Sequence, residues 1–200
     1  MKASLELNSS ENFMPGLAIA KATVKGTVRL GQQENFMYVF DLPRGLSLPN
    51  WGYHNWPSTI RHHVKIHSTH TNIQPWHGSE TVDIVYDEGL FTALLILNGY
   101  LDPMKWMNRR PKYFIEVKTT AGPPKIPFYM SRHQFEEMGE MHRKNEASNY
   151  SEIYMICRVF FIQGPDVGMC VYVDPEQLRQ SGELKFKFHN NTGHWSVVPG

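Results

Sequence analysis

Cysteine is scarce. Cys157 and Cys170 are the only two in 200 residues, and each lies in an apolar run. Two such thiols exclude a disulfide framework and fit buried side chains in a reducing compartment. An excess of one charge is also missing. Lys and Arg number 20 against 19 Asp and Glu, a formal net charge of +1. That balance excludes a global field drawing in nucleic acid or a membrane, so any polyanion binding needs a local basic patch. Long hydrophobic runs are absent too. The longest, LFTALLIL at 90–97, falls well short of the roughly 20 apolar residues that span a bilayer. No secretory h-region, internal repeat or low-complexity tract stands out. These absences lead us to expect a soluble, intracellular protein.

What is present suits one globular domain. Hydrophobic residues make up 41% of the chain, enough to bury a core without staples. Residues 1–35 are weakly patterned and read as a loosely ordered N-terminal extension, although KATVKGTVRL alternates as a strand would. Residues 36–200 read as the domain. ENFMYVFDL fits a short helix or a buried strand, because periodicity cannot decide over so few residues. LPRGLSLPNWGYHNWP has the Pro, Gly and Asn spacing of a loop. STIRHHVKIH predicts a short capped helix, ETVDIVYD a strand, and LFTALLILNGYL a helix ended by Asn98-Gly99. KYFIEVKTT predicts a strand. SRHQFEEMGEMHRK predicts an amphipathic helix, with Ser131 and Gln134 as a capping box and Phe135, Met138 and Met141 as its buried stripe. SEIYMICRVFFIQ predicts a central strand buried on both faces, followed by strands in GMCVYVDP and ELKFKFH. Helices alternating with strands point to an α/β or α+β sheet with helices packed on it.

One strand carries chemistry. Side chains alternate along a strand, so Phe114, Glu116 and Lys118 share a face opposite Tyr113, Ile115 and Val117. Glu116 and Lys118 then lie about 7 Å apart along the backbone. Two charges in an apolar context are costly unless paired or bound to a metal. A cross-neutralised pair accounts for them. So does a site in which the carboxylate holds a hard cation such as Mg²⁺ and the ammonium stabilises charge on a phosphate.

The stretches NWPSTIRHHV, ETVDIVYDEG, LLILNGYLD, KYFIEVKTTAGPPKIPFYMSRHQFEEM, IYMICRVF, YVDPEQLRQSGEL and WSVVP together cover about seven tenths of the chain. As a set they resemble the NO VEIN C-terminal domain family, in its fungal-type variant, within the PD-(D/E)XK nuclease-like superfamily. The resemblance implies an α/β fold of the restriction-endonuclease-like type, a mixed central sheet flanked by helices. It implies a Mg²⁺- or Mn²⁺-dependent nuclease-like domain acting on DNA or RNA, or a catalytically inactive module of the same fold that binds nucleic acid or protein. Glu116 and Lys118 match the Glu-x-Lys element. Asp83, on the preceding strand, is the first choice for the partner acid, and Asp102 is the alternative. The implied catalytic set is Asp83, Glu116 and Lys118, with Asp83 and Glu116 as metal ligands. The family's Gly-x-x-Gly-Glu element is broken here, and Glu34 in GQQENFMYVF lies near its place.

Other residues have ordinary explanations. His62, His63, His67 and His70 cluster without an H-E-x-x-H pattern and read as surface or packing residues. Asp166 and Asp174 read as turn residues. Arg158, in an apolar strand, needs a partner, either a carboxylate or a phosphate. Gln134 fits a capping box and also lies within reach of the cleft. Arg109, Arg110, Lys112, Lys125, Arg132 and His133 could make a basic rim. Trp51, Trp56 and Trp76 read as loop anchors.

Overall fold

The computed structural model describes residues 53–57, 76–78, 82–147, 150–162 and 168–200. The N-terminal extension, Glu34, Trp51, the helix expected around 58–67, the histidine cluster and Asp166 lie outside the described residues.

After a 3₁₀ turn at Tyr53–Asn55 come β1 (Ile84–Tyr86), α1 (Gly89–Leu97), α2 (Pro103–Trp106), β2 (Lys112–Thr119) and β3 (Phe128–Ser131). They are followed by α3 (Arg132–Glu146), β4 (Glu152–Phe160), β5 (Gly168–Val173), α4 (Pro175–Ser181), β6 (Leu184–His189) and β7 (His194–Pro199). The strands form two sheets. One is mixed, in the order β1-β2-β4-β5, with β2 and β4 parallel and the outer pairs antiparallel. The other is an antiparallel sheet in the order β3-β7-β6. The expected mixed sheet flanked by helices is present, and the second sheet is an addition to it.

Alternation along β2 and β4 sends their side chains into two cores. On one side Tyr113, Ile115 and Val117 join Ile153, Met155 and Cys157, covered by Phe91 and Leu95 of α1 and Trp106 of α2. On the other, Phe114, Tyr154 and Ile156 pack on Met138 and Met141 of α3 and on Phe128, Met130, Leu184 and Val197 of the second sheet. β4 is buried from Ile153 to Phe160, as an apolar strand covered on both faces must be. Cys157 is buried, and burial raises its thiol to about 12, whereas Cys170 is only half-buried.

Local chemistry explains the element ends. α1 stops at Asn98, and Gly99 takes a left-handed φ of 75° just beyond it. α3 starts on a capping box: the Gln134 backbone N–H donates to Ser131 Oγ at 3.2 Å, and Gln134 Oε1 accepts from the Ser131 N–H at 2.9 Å. α4 starts at Asp174, itself left-handed at φ 49°. Asp174 is therefore more than a turn residue. It caps α4 and binds His142 Nδ1 of α3 at 2.8 Å, tying the two helices together.

Candidate functional site

Glu116 and Lys118 lie side by side on the α3 face of β2, as the alternation requires. Lys118 Nζ donates to Glu116 Oε1 at 2.7 Å. The Gln134 side-chain amide donates to the same oxygen at 2.6 Å, and Gln134 Oε1 lies 3.3 Å from Lys118 Nζ. Glu116 is only 5% exposed. A carboxylate so buried is tolerable because two donors, one of them charged, hold it. Gln134 reaches it from the first turn of α3, where the capping box already fixes the side chain. Capping and contact with the cleft, alternative roles on the sequence, are both performed by one residue.

Asp83 immediately precedes β1. The β1–β2 register pairs Ile84 with Ile115, so Asp83 comes level with Glu116. Its Oδ2 accepts from the backbone N–H of Val117 at 2.8 Å. The carboxylate thus takes a β2 donor just before the first β1 pair, between Glu116 and Lys118. Asp102 is elsewhere. It caps α2 by accepting from the Met104 N–H at 2.9 Å, on an exposed surface. Of the two candidate aspartates, Asp83 is the one brought to Glu116.

Two groups missed on the sequence complete the surroundings. Glu137 lies one helical turn beyond Gln134, and its buried Oε2 has no hydrogen-bond partner. Tyr154 of β4, 2% exposed, stands opposite Phe114 on the same face, and its hydroxyl is likewise unpartnered. Burial pushes the Tyr154 hydroxyl well above its ordinary value, and the charges of Glu116, Glu137 and Asp83 push it further. Burial also raises Glu137, with His133 opposing and Glu116 adding to the rise. All three carboxylates act electrostatically on the one phenol. The i, i+3 spacing of Gln134 and Glu137 was the available signal. It was hidden because Glu137 sits in the charged run of an amphipathic helix.

Among the described residues, no three His, Cys, Asp or Glu side chains gather closely enough to form a metal-holding group. That excludes a closed all-protein cage there. It does not conflict with Mg²⁺, which keeps several waters and commonly takes one or two carboxylates plus substrate phosphates. Asp83 and Glu116 offer oxygen donors only, the type such a hydrated ion takes.

Arg158 does not belong to this chemistry. It is 2% exposed. It donates to the backbone carbonyls of Thr119 at 2.7 Å and Ile126 at 3.4 Å, with its guanidinium over the Phe128 ring. Burial lowers its pKa, as expected for a cation held by neutral carbonyls. It braces the loop between β2 and β3. The three arginines among the six basic-rim residues are also engaged. Arg110 pairs with Glu88 at 3.4 Å, Arg132 pairs with Glu136 at 2.7 Å, and Arg109 packs over the Tyr150 ring. Among the described residues, no helix is long and apolar enough to cross a membrane. Comparison with known proteins finds no matching family model, no matching curated protein and no matching solved structure.

Proposed function

We propose that this chain is a metal-dependent, nuclease-like domain of the PD-(D/E)XK type, related to the NO VEIN C-terminal family, that acts on nucleic-acid phosphodiesters. One observation carries the reading. Glu116, Lys118 and Gln134 form a hydrogen-bonded trio, and the Asp83 carboxylate is fastened to the Val117 amide between the two charged residues. A bound Mg²⁺ or Mn²⁺ supplies Lewis-acid polarisation of a phosphoryl oxygen and a more acidic water. Asp83 and Glu116 are the residues that would hold it. Lys118 offers an ammonium where negative charge grows on the phosphate. Gln134 fixes the orientation of Glu116 from a rigid helix start, so little reorganisation is needed. The test is cleavage of supercoiled and single-stranded DNA with Mg²⁺ or Mn²⁺. Wild type should cut, and Glu116→Ala should lose at least about a hundredfold, the scale of removing one preorganised electrostatic group. Equal rates in the two proteins reject the enzyme.

A second reading has its own observation. Glu116 is nearly closed off, and one of its oxygens is taken by two internal donors. A fold that keeps the trio only as a neutralised pair is a binding module without the reaction, since fold does not guarantee function. Nucleic-acid or protein binding that survives both Glu116→Ala and Lys118→Ala, with no cleavage by wild type, selects that reading.

A further inference from the structure

The β3–β7–β6 sheet has two unlike sides. Phe128, Met130, Leu184 and Val197 point inward to the core, joined by Phe186 and Trp195. Alternation sends Tyr129, Lys185, Lys187, His189, His194 and Ser196 to the other side. Register aligns them across the strands. Tyr129 and Lys187 both pair with Ser196 of the central strand, and His189 pairs with His194. Tyr129 is 60% exposed, and both lysines are exposed. None of the residues of β3, β6 or β7 is acidic. Beside Tyr129 lies an open hollow of about 370 Å³ lined by Tyr129, His189, Asn191, Thr192 and His194. The His189 ring is fixed there by Nε2 against Ser196 Oγ at 2.8 Å, 6.3 Å from the Tyr129 ring.

We propose that this outer sheet face binds single-stranded nucleic acid, with Tyr129 as a base-stacking platform and Lys185 and Lys187 as phosphate contacts. The inference rests on the reading that the substrate is a nucleic acid, and it gives that substrate a seat outside the Glu116 site. Charge decides the class of occupant. In a chain with net charge +1, this is a face of cations and aromatics without a carboxylate on its strands, and it complements a polyanion. Tyr129 and Lys187 stand two strands apart, about 10 Å by ordinary strand spacing, so a base on the one can leave its backbone beside the other. Stacking on an exposed ring tolerates any base, and the His, Asn and Thr groups of the hollow can meet base edges. An apolar partner helix finds no matching stripe, because the large aromatics of these strands other than Tyr129 lie on the inner face. The face is also coupled to the candidate site. β3 ends at Ser131, the cap of α3, and Gln134 in the first turn of α3 donates to Glu116.

The experiment uses the full chain and a fluorescein-labelled oligothymidylate in EDTA, with anisotropy read across a salt series. Wild type should bind, more weakly as salt rises. Tyr129→Ala should weaken binding about tenfold, and Tyr129→Phe should retain it, because the ring is what stacks. Replacing both lysines by alanine should flatten the slope of log affinity against log salt by about 1.4, the value for two single-strand phosphate contacts. No binding by wild type overturns the proposal. So does unchanged binding by Tyr129→Ala and the double-lysine variant, both shown by circular dichroism to be folded. Metal-dependent cleavage that persists beside unchanged binding overturns the sheet assignment alone. Loss of binding in these variants, in a wild-type chain that does not cut, supports the sheet and rejects the catalytic reading.

Discussion

Tyr113 and Tyr154 are both buried tyrosines of the mixed sheet, and the two faces of that sheet treat them differently. On the α1 face, the Tyr113 hydroxyl shares a 2.6 Å hydrogen bond with Thr92 Oγ1. On the α3 face, the Tyr154 hydroxyl is buried without a partner. Charge follows the same division. The α1 core contains no buried charged side chain among the described residues, whereas Glu116 and Arg158 are buried on the α3 side. On the α1 face the Tyr113 and Thr92 hydroxyls satisfy each other. The α3 face leaves a phenol and a carboxylate oxygen open beside a bound acid–base pair, which is the arrangement expected where a ligand supplies the missing contacts.

The largest effect that can break this contrast is on the pair itself. Lys118→Ala leaves the buried Glu116 carboxylate with the Gln134 amide as its remaining side-chain donor. We expect a loss of about 3 kcal/mol in urea unfolding, the low end for breaking a buried ion pair, because Lys118 is partly open to water. Adding Glu116→Gln in the same chain should restore much of that loss, since no uncompensated charge remains. If Lys118→Ala unfolds at the wild-type urea concentration, the pair is effectively solvated and the α3 face is not the special one.

Next in size is the comparison of the two tyrosines. Tyr113→Phe leaves the Thr92 hydroxyl buried without its partner, a cost of about 1–2 kcal/mol. Tyr154→Phe removes a hydroxyl that bonds to nothing and should change stability by less than about 0.5 kcal/mol in either direction. Thermal unfolding of the two variants side by side is the measurement. Equal losses would mean that Tyr154 has a partner such as ordered water, and the two faces would then be alike.

Patterns confined to one element were legible in the sequence. Alternation placed Glu116 and Lys118 together, and the Ser131–Gln134 box marked the start of α3. The unbroken apolar run of β4 announced a strand covered on both sides. Readings that depended on two distant segments were harder. The choice between Asp83 and Asp102 required the β1–β2 register, which comes from an antiparallel pairing across two inserted helices. The second sheet was invisible as a sheet because β3 is only Phe128–Ser131 and gains its partners from the chain's last strands. Tyr154 and Glu137 looked like a core aromatic and a solvated helix charge. Only the packing of α3 on β4 brings them beside Glu116. Arg158 called for an anionic partner on ordinary electrostatic grounds, yet its two terminal nitrogens donate to the backbone carbonyls of Thr119 and Ile126, and no local pattern encodes that.

The smallest effect tests whether Glu137 belongs to the open face. Burial, reinforced by Glu116, lifts its carboxyl above the ordinary value of 4.5. The folded chain therefore holds that proton to a higher pH than the unfolded chain does. The stability this provides is complete below the unfolded value and is lost as pH rises through the folded one. At neutral pH the ionised side chain is a net liability, reduced by its partial contact with solvent. Glu137→Gln should therefore melt higher than wild type at pH 7. The advantage should shrink on acidification and vanish around pH 4, where the wild-type carboxyl is itself largely protonated. Melting temperatures across that range read the sign directly. A glutamine variant that melts lower at neutral pH would mean that a favourable partner already holds the Glu137 carboxylate, so this position would have no vacancy for a ligand to fill.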